Sequence, residues 1–201
     1  MLAGESGAST IEHDWVAEHD LPVTFAAQAR VRPDAVLERV ETKRADPSAQ
    51  YALISAREAW ADAGSPDVAP ERIGVDYSTG IGGLWTLIDA WETLKTKGPR
   101  RVLPMTVPML MPNAAAAAVS MHLGARAFAR TDVSACASST EAIANAYDHL
   151  QARLAERVRA YAPKASRPDL PPPAVRFDDR ASASATVVEV HARDRIGVLY
   201  K

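Results

Sequence analysis

Only one cysteine stands in 201 residues. An internal disulfide is therefore impossible, which excludes a stapled secreted scaffold and a cysteine-only zinc site and fits a reducing, cytoplasmic setting. Long apolar runs are missing as well. The most apolar stretch, 102–119, is broken by Pro104, Pro108, Pro112 and Asn113, whereas a bilayer-spanning helix takes about 20 unbroken apolar residues. The opening Met1-Leu2-Ala3-Gly4-Glu5-Ser6 lacks the basic start and apolar core of a secretory leader. Net charge is only −2, which gives no reason to expect nucleic acid or an anionic membrane as partner. The five histidines show no metal-ligand spacing. What remains, 47% hydrophobic and 24% charged residues, is the composition of a folding chain rather than a disordered or collagen-like one.

The small net charge hides an asymmetry. Residues 1–150 carry 13 basic and 19 acidic side chains, a net of −6, and residues 151–201 carry 10 and 6, a net of +4. In the first part, Asp46 as N-cap, Pro47 at the first helical position and Gly64 past the end predict a helix over 47–63, with Leu53, Ala56, Trp60 and Ala63 on its buried face. Residues 72–78 alternate like a strand; the turn Thr79-Gly80-Ile81-Gly82-Gly83 and a helix over about 84–95 follow. A proline-punctuated loop leads to a small-residue helix, about 113–123, stopped by a left-handed cap at Gly124. A strand over Arg126–Ala135 and a helix from about Ser138 to Tyr161 complete the alternation. Helices alternating with strands predict a layered α/β domain. Five prolines in the eleven residues 163–173 then predict an extended linker. Beyond it, 185–192 reads as a strand and 196–200 as the start of a helix.

Two segments could carry chemistry. Gly80-Ile81-Gly82-Gly83 lacks the third glycine of a dinucleotide fingerprint and the Lys-Ser/Thr of a P-loop, so it reads as a tight turn rather than a phosphate cradle. Cys136 lies in Asp132-Val133-Ser134-Ala135-Cys136-Ala137-Ser138-Ser139, between a strand and a helix. The unpaired N–H groups at such a helix start favour the nucleophilic thiolate; the alternative is a buried, inert thiol.

The segments Leu2-Ala3-Gly4-Glu5-Ser6-Gly7, Arg44-Ala45-Asp46, Gln50-Tyr51-Ala52-Leu53, Glu58-Ala59-Trp60-Ala61-Asp62-Ala63-Gly64, Gly80-Ile81-Gly82-Gly83 and Ser134-Ala135-Cys136-Ala137-Ser138-Ser139 together resemble the N-terminal part of the β-ketoacyl-[acyl-carrier-protein] synthases of the thiolase-like superfamily, nearest the type II elongating enzymes. The resemblance implies a partial thiolase-like layered fold and places the acyl-thioester on Cys136, whose own backbone N–H would be half of the oxyanion hole. It implies acyl carrier protein and acyl or malonyl thioesters as partners, no cofactor, and acyl transfer followed by decarboxylative Claisen condensation. It also implies pairing of Arg126–Ala135 with its copy, giving a homodimer or, in a fragment, an aggregate. The family uses two histidines and a lysine downstream of the cysteine for condensation. Here only His149 and His191 follow, and His149 lies about 20 Å along the helix from Cys136. His13, His19 and His122 match no catalytic position of the family, so all five histidines are expected at surface or packing positions. Counted against the family, the chain starts after the first strand and stops before the second half, so condensation is expected to fail.

The tail has a different likeness. Pro171 to Asp179 and Thr186 to Tyr200 resemble the start of an ACT domain, most of all the regulatory region of the uridylyltransferase that modifies the PII signalling protein. Asp194, Arg195 and Gly197 would then belong to an amino-acid-binding turn. The implied organisation is a synthase-like fragment over 1–150, a helix end and linker over 151–174, and a truncated ACT-like segment over 175–201. The two likenesses meet near Asp148–Glu156, which implies a junction between unrelated coding sequences. A non-catalytic regulatory or interaction fragment, and a chimeric product without activity, are the competing readings.

Overall fold

The computed structural model describes residues 4–29 and 31–161. A short antiparallel hairpin comes first: β1 (Ala8–Thr10) pairs with β2 (Phe25–Ala27) in the register Ala8↔Ala27, Ser9↔Ala26, Thr10↔Phe25, with α1 (Asp14–Glu18) between them. The sequence predicts no element here. Five of the six strand residues are exposed, so no alternation marks them. α2 (Arg39–Arg44) starts with the Glu41 side chain accepting from the Glu38 N–H at 3.1 Å.

α3 (Pro47–Asp62) forms as its caps predict. Asp46 has extended dihedrals and accepts from Ser48 N at 3.0 Å, and the chain leaves the helix through Gly64 at φ +77°. The buried face is a correction to expectation. Its centre runs through Ala49, Ala52, Ala56 and Ala59 with Leu53 beside it, while Trp60 and Ala63 are half-buried. The reason is α6 (Ala114–Leu123), which packs on α3 with Ala115, Ala116 and Val119. Small side chains at the crossing let two backbones approach closely, so alanine rather than tryptophan occupies the seam. Arg57 of α3 ties this pair to its surroundings, donating to Glu41 of α2 and, at 3.4 Å, to His122 of α6.

β3 (Gly74–Asp76) and β4 (Phe128–Arg130) form a parallel pair in the register Gly74↔Phe128, Val75↔Ala129, Asp76↔Arg130. Both are shorter than the expected 72–78 and 126–135. Past the third pair the ladder gives way to side-chain bonds: Thr131 Oγ1 donates to the Tyr77 carbonyl at 2.8 Å, and Asp132 N donates to Ser78 Oγ at 3.0 Å. Val75 joins the alanine core of α3 and α6. The opposite face carries Gly74 and Phe128, and Phe128 stacks on His149 of α7 (Ser138–Tyr161) at 4.4 Å between ring centroids. A Cβ at Gly74 would lie 2.3 Å from the Phe128 ring, so that ring occupies the space glycine leaves. The result is helices, strands, helix in three layers, the α/β arrangement expected.

α4 (Leu84–Lys97) runs from the glycine turn to Gly98 and buries no residue. Within the stretch expected to be a loop, α5 (Thr106–Leu110) makes one further helical turn against α4. α6 ends at Gly124, φ +65°, the left-handed cap the sequence predicts. Among the described residues no helix is long and apolar enough to cross a membrane.

Candidate functional site

The turns after β3 and β4 lie at the same end of the parallel pair, the C-terminal end, where open α/β sheets place their ligands. The first is the glycine loop and the second carries Cys136. Cys136 is exposed, which removes the buried, inert alternative. It occupies the middle of a single 3-10 turn, Ala135–Ala137, that runs directly into α7.

Ala135 adopts φ +52°, the left-handed region that a side chain with a Cβ disfavours. Ser138, only 3% exposed, braces it. Its hydroxyl accepts from Ser134 N at 3.0 Å and donates to the Ala135 carbonyl at 2.7 Å, while Ala137 N donates to Ser134 O at 3.0 Å. The glycine loop comes close to this turn as well, since a Cβ added at Gly80 would stand 3.3 Å from the Ala135 oxygen.

The loop's own amides are engaged. Gly82 N donates to Thr79 Oγ1 at 3.2 Å, Ile81 N reaches the same oxygen at 3.5 Å, and Gly83 N donates to Leu110 O at 3.0 Å. Gly82 has φ +80°, and a Cβ at Gly83 would sit 2.4 Å from Met109 O. Glycine is required here by positive φ and by close backbone approach, and the amides that could cradle a phosphate are bonded to protein oxygens.

Asp46 lies beneath this loop, 2% exposed. Oδ1 accepts from Ser48 N and Oγ at 3.0 and 2.9 Å, and Oδ2 accepts from Thr86 N and Oγ1 at 3.0 and 2.8 Å. One carboxylate thus caps α3 and α4 together. The sequence marks its first role through Asp-Pro, but its second partner is forty residues away and leaves no local signal.

The described histidines with recorded partners are engaged away from the cysteine turn. His13 stacks on Trp15, His122 accepts from Arg57, and His149 stacks on Phe128 and bonds Arg130. For these three the expectation of surface or packing positions holds. Asp76, opposite Arg130 in the ladder, has both oxygens shielded from water and without a hydrogen-bond partner among the described residues. Burial pushes its pKa up, Arg130 opposes that, Asp132 adds to it, and His149 opposes it. Asp132 itself accepts from Asn145 of α7 at 2.7 Å. Among the described residues no three His, Cys, Asp or Glu side chains converge to hold a metal. Asp194, Arg195 and Gly197 lie outside the described residues.

Fold and site together define a layered α/β protein that presents a cysteine thiol at the C-terminal end of a parallel strand. The profile of the family "Beta-ketoacyl synthase, N-terminal domain" matches residues 1–160, and the chain belongs to that family. It is similar to "3-oxoacyl-[acyl-carrier-protein] synthase 2" of Mycobacterium tuberculosis (strain ATCC 25618 / H37Rv), 37% identical over 150 residues that make up 75% of this chain and 36% of that protein. The protein of the same description from Staphylococcus aureus (strain N315) is 43% identical over 117 residues, 57% of this chain and 28% of that one. The chain thus spans about a third of the length of these relatives. Among solved structures, a β-ketoacyl synthase from Burkholderia phymatum STM815 superposes with a TM-score of 0.59 at 28% identity, over 74% of this chain and 37% of that one. The ishigamide ketosynthase/chain length factor, at 22% identity and a TM-score of 0.61 over 77% of this chain and 38% of that chain, shares the fold.

Proposed function

We propose that Cys136 is an acyl-accepting nucleophile and that this chain performs the acyl-transfer half of a β-ketoacyl-[acyl-carrier-protein] synthase reaction. The Cys136 sulfur attacks the carbonyl carbon of an acyl thioester, the carbonyl oxygen takes the negative charge beside the cysteine's own N–H, and collapse releases the carrier thiol with the acyl group on sulfur. The observation that carries this is the exposed thiol on a left-handed turn at the head of α7, inside the segment matched by the family profile. A ketosynthase of this fold, 18% identical, is described in complex with its type II polyketide acyl-carrier protein, which supports a carrier protein as the donor.

Condensation is a separate matter. It requires groups that stabilise a carbanion equivalent and the carbonyl oxygens, and His13, His122 and His149 are committed to other partners. We therefore propose acyl transfer without condensation. The division into a synthase-like unit over 1–150, a helix end and proline-rich linker over 151–174 and a truncated ACT-like segment over 175–201 goes with this reading, and rests on the sequence pattern.

Incubating the chain with an acyl-carrier-protein thioester should add the acyl mass to the peptide holding Cys136 and to no other. The Cys136→Ala protein should stay unmodified. Absence of acylation in a folded sample defeats the proposal; release of carbon dioxide from malonyl carrier protein defeats its restriction to acyl transfer.

A further inference from the structure

We propose that Ser138 is a positioning residue for Cys136, its hydroxyl holding the left-handed turn at Ala135 from which the thiol is presented; this rests on Cys136 being the nucleophile. Three observations converge. Ala135 is a non-glycine residue at φ +52°, immediately before the cysteine. The Ser138 hydroxyl, 3% exposed, bonds both sides of that residue, accepting from Ser134 N and donating to Ala135 O. The glycine loop passes close to the same carbonyl, since a Cβ added at Gly80 would stand 3.3 Å from the Ala135 oxygen.

Left-handed backbone persists at a residue with a Cβ only where its surroundings over-determine it. Here the over-determining group is a hydroxyl on the first residue of α7, the helix into which the cysteine's 3-10 turn runs directly. Removing the hydroxyl leaves Ser134 N and Ala135 O without this partner. Ala135 can then relax toward negative φ, which changes how the next residue, Cys136, is presented.

The full chain is compared in four forms besides wild type: Ser138→Ala, Ser138→Thr, Ala135→Gly, and Ser138→Ala with Ala135→Gly. The readout is the second-order rate of iodoacetamide alkylation of Cys136 at fixed pH, with circular dichroism and thermal midpoints taken in parallel. Ser138→Ala should slow alkylation roughly tenfold in folded protein, and Ser138→Thr, which keeps the hydroxyl, should stay within about twofold of wild type. Glycine at 135 removes the Cβ penalty, so the double variant should recover most of the lost rate. A hydroxyl that merely stabilises the fold would lower the thermal midpoint and leave the rate alone.

A folded Ser138→Ala protein reacting at the wild-type rate overturns the proposal, as does a folded double variant that remains slow. If Ser138→Ala alone does not fold, the double variant decides: folded and reactive supports positioning, and unfolded shows the hydroxyl to be a folding element instead. The nucleophile reading is scored separately, by wild-type alkylation against a free thiol and by acyl transfer, whereas Ser138 is scored by the ratio between variants.

Discussion

Asp76 illustrates what a single residue can cost. It is the last residue of β3, and both of its carboxylate oxygens are closed off from water without a hydrogen-bond partner among the described residues. Burial raises its pKa above the ordinary 3.8 by more than Arg130 and His149 lower it. A carboxyl whose folded pKa is raised favours the fold when protonated; that contribution is complete below the unfolded value and is lost as pH rises through the folded one. At neutral pH the ionised group therefore opposes folding. Asp76→Asn should raise stability at pH 7 by about 0.5 kcal/mol, kept small because the attraction to Arg130 is given up together with the charge. The gain should vanish below pH 3.8, and urea titrations at the two pH values check this. A gain that persists in acid would trace to packing rather than charge.

At the scale of elements, the order of the molecule depends on how helix starts are satisfied. The first turn of every helix leaves backbone donors unpaired, and Asp46 answers two such turns, in α3 and α4, from one buried position. A lost N-cap typically costs about 1 kcal/mol, so Asp46→Ala should destabilise by roughly 2 kcal/mol, measured from the urea midpoint. Asp46→Asn offers one acceptor oxygen rather than two and should cost about half of that. A loss of under about 0.5 kcal/mol for the alanine variant would mean that water replaces the carboxylate, contrary to its burial. The same carboxylate lies close under the glycine loop, since a Cβ added at Gly83 would stand 3.1 Å from the Asp46 carboxyl carbon.

The whole molecule is unevenly covered. Among the described residues the buried hydrophobics are mostly alanine, chiefly at the seam of α3 and α6, whereas Ile81, Trp85 and Trp91 are 65%, 62% and 59% exposed on and beside α4. β4 has β3 as its only strand partner among the described residues, which leaves its other edge open. Open strand edges and large apolar side chains both favour association. Light scattering on the purified chain, 21.6 kDa as a monomer, should therefore report dimers or larger species. A folded monomer at tens of micromolar would contradict pairing through 126–135.

Much of this protein was legible in order along the chain. Asp46-Pro47, Gly64 and Gly124 marked helix ends; the glycine turn and the position of Cys136 between strand and helix were correct. Each depends on energies between residues a few positions apart, which is why sequence alone determined them. Tertiary structure decided the rest. Strand lengths were set by Thr131 and Ser78 bonding across fifty-four residues. The buried face of α3 turned to alanine because α6 arrived there, and the second helix under Asp46, the stacking partner of His149 and the open edge of β4 followed from which segments the chain brought back together. Such contacts depend on the geometry of return rather than on neighbours, and no local pattern of residue types encodes them.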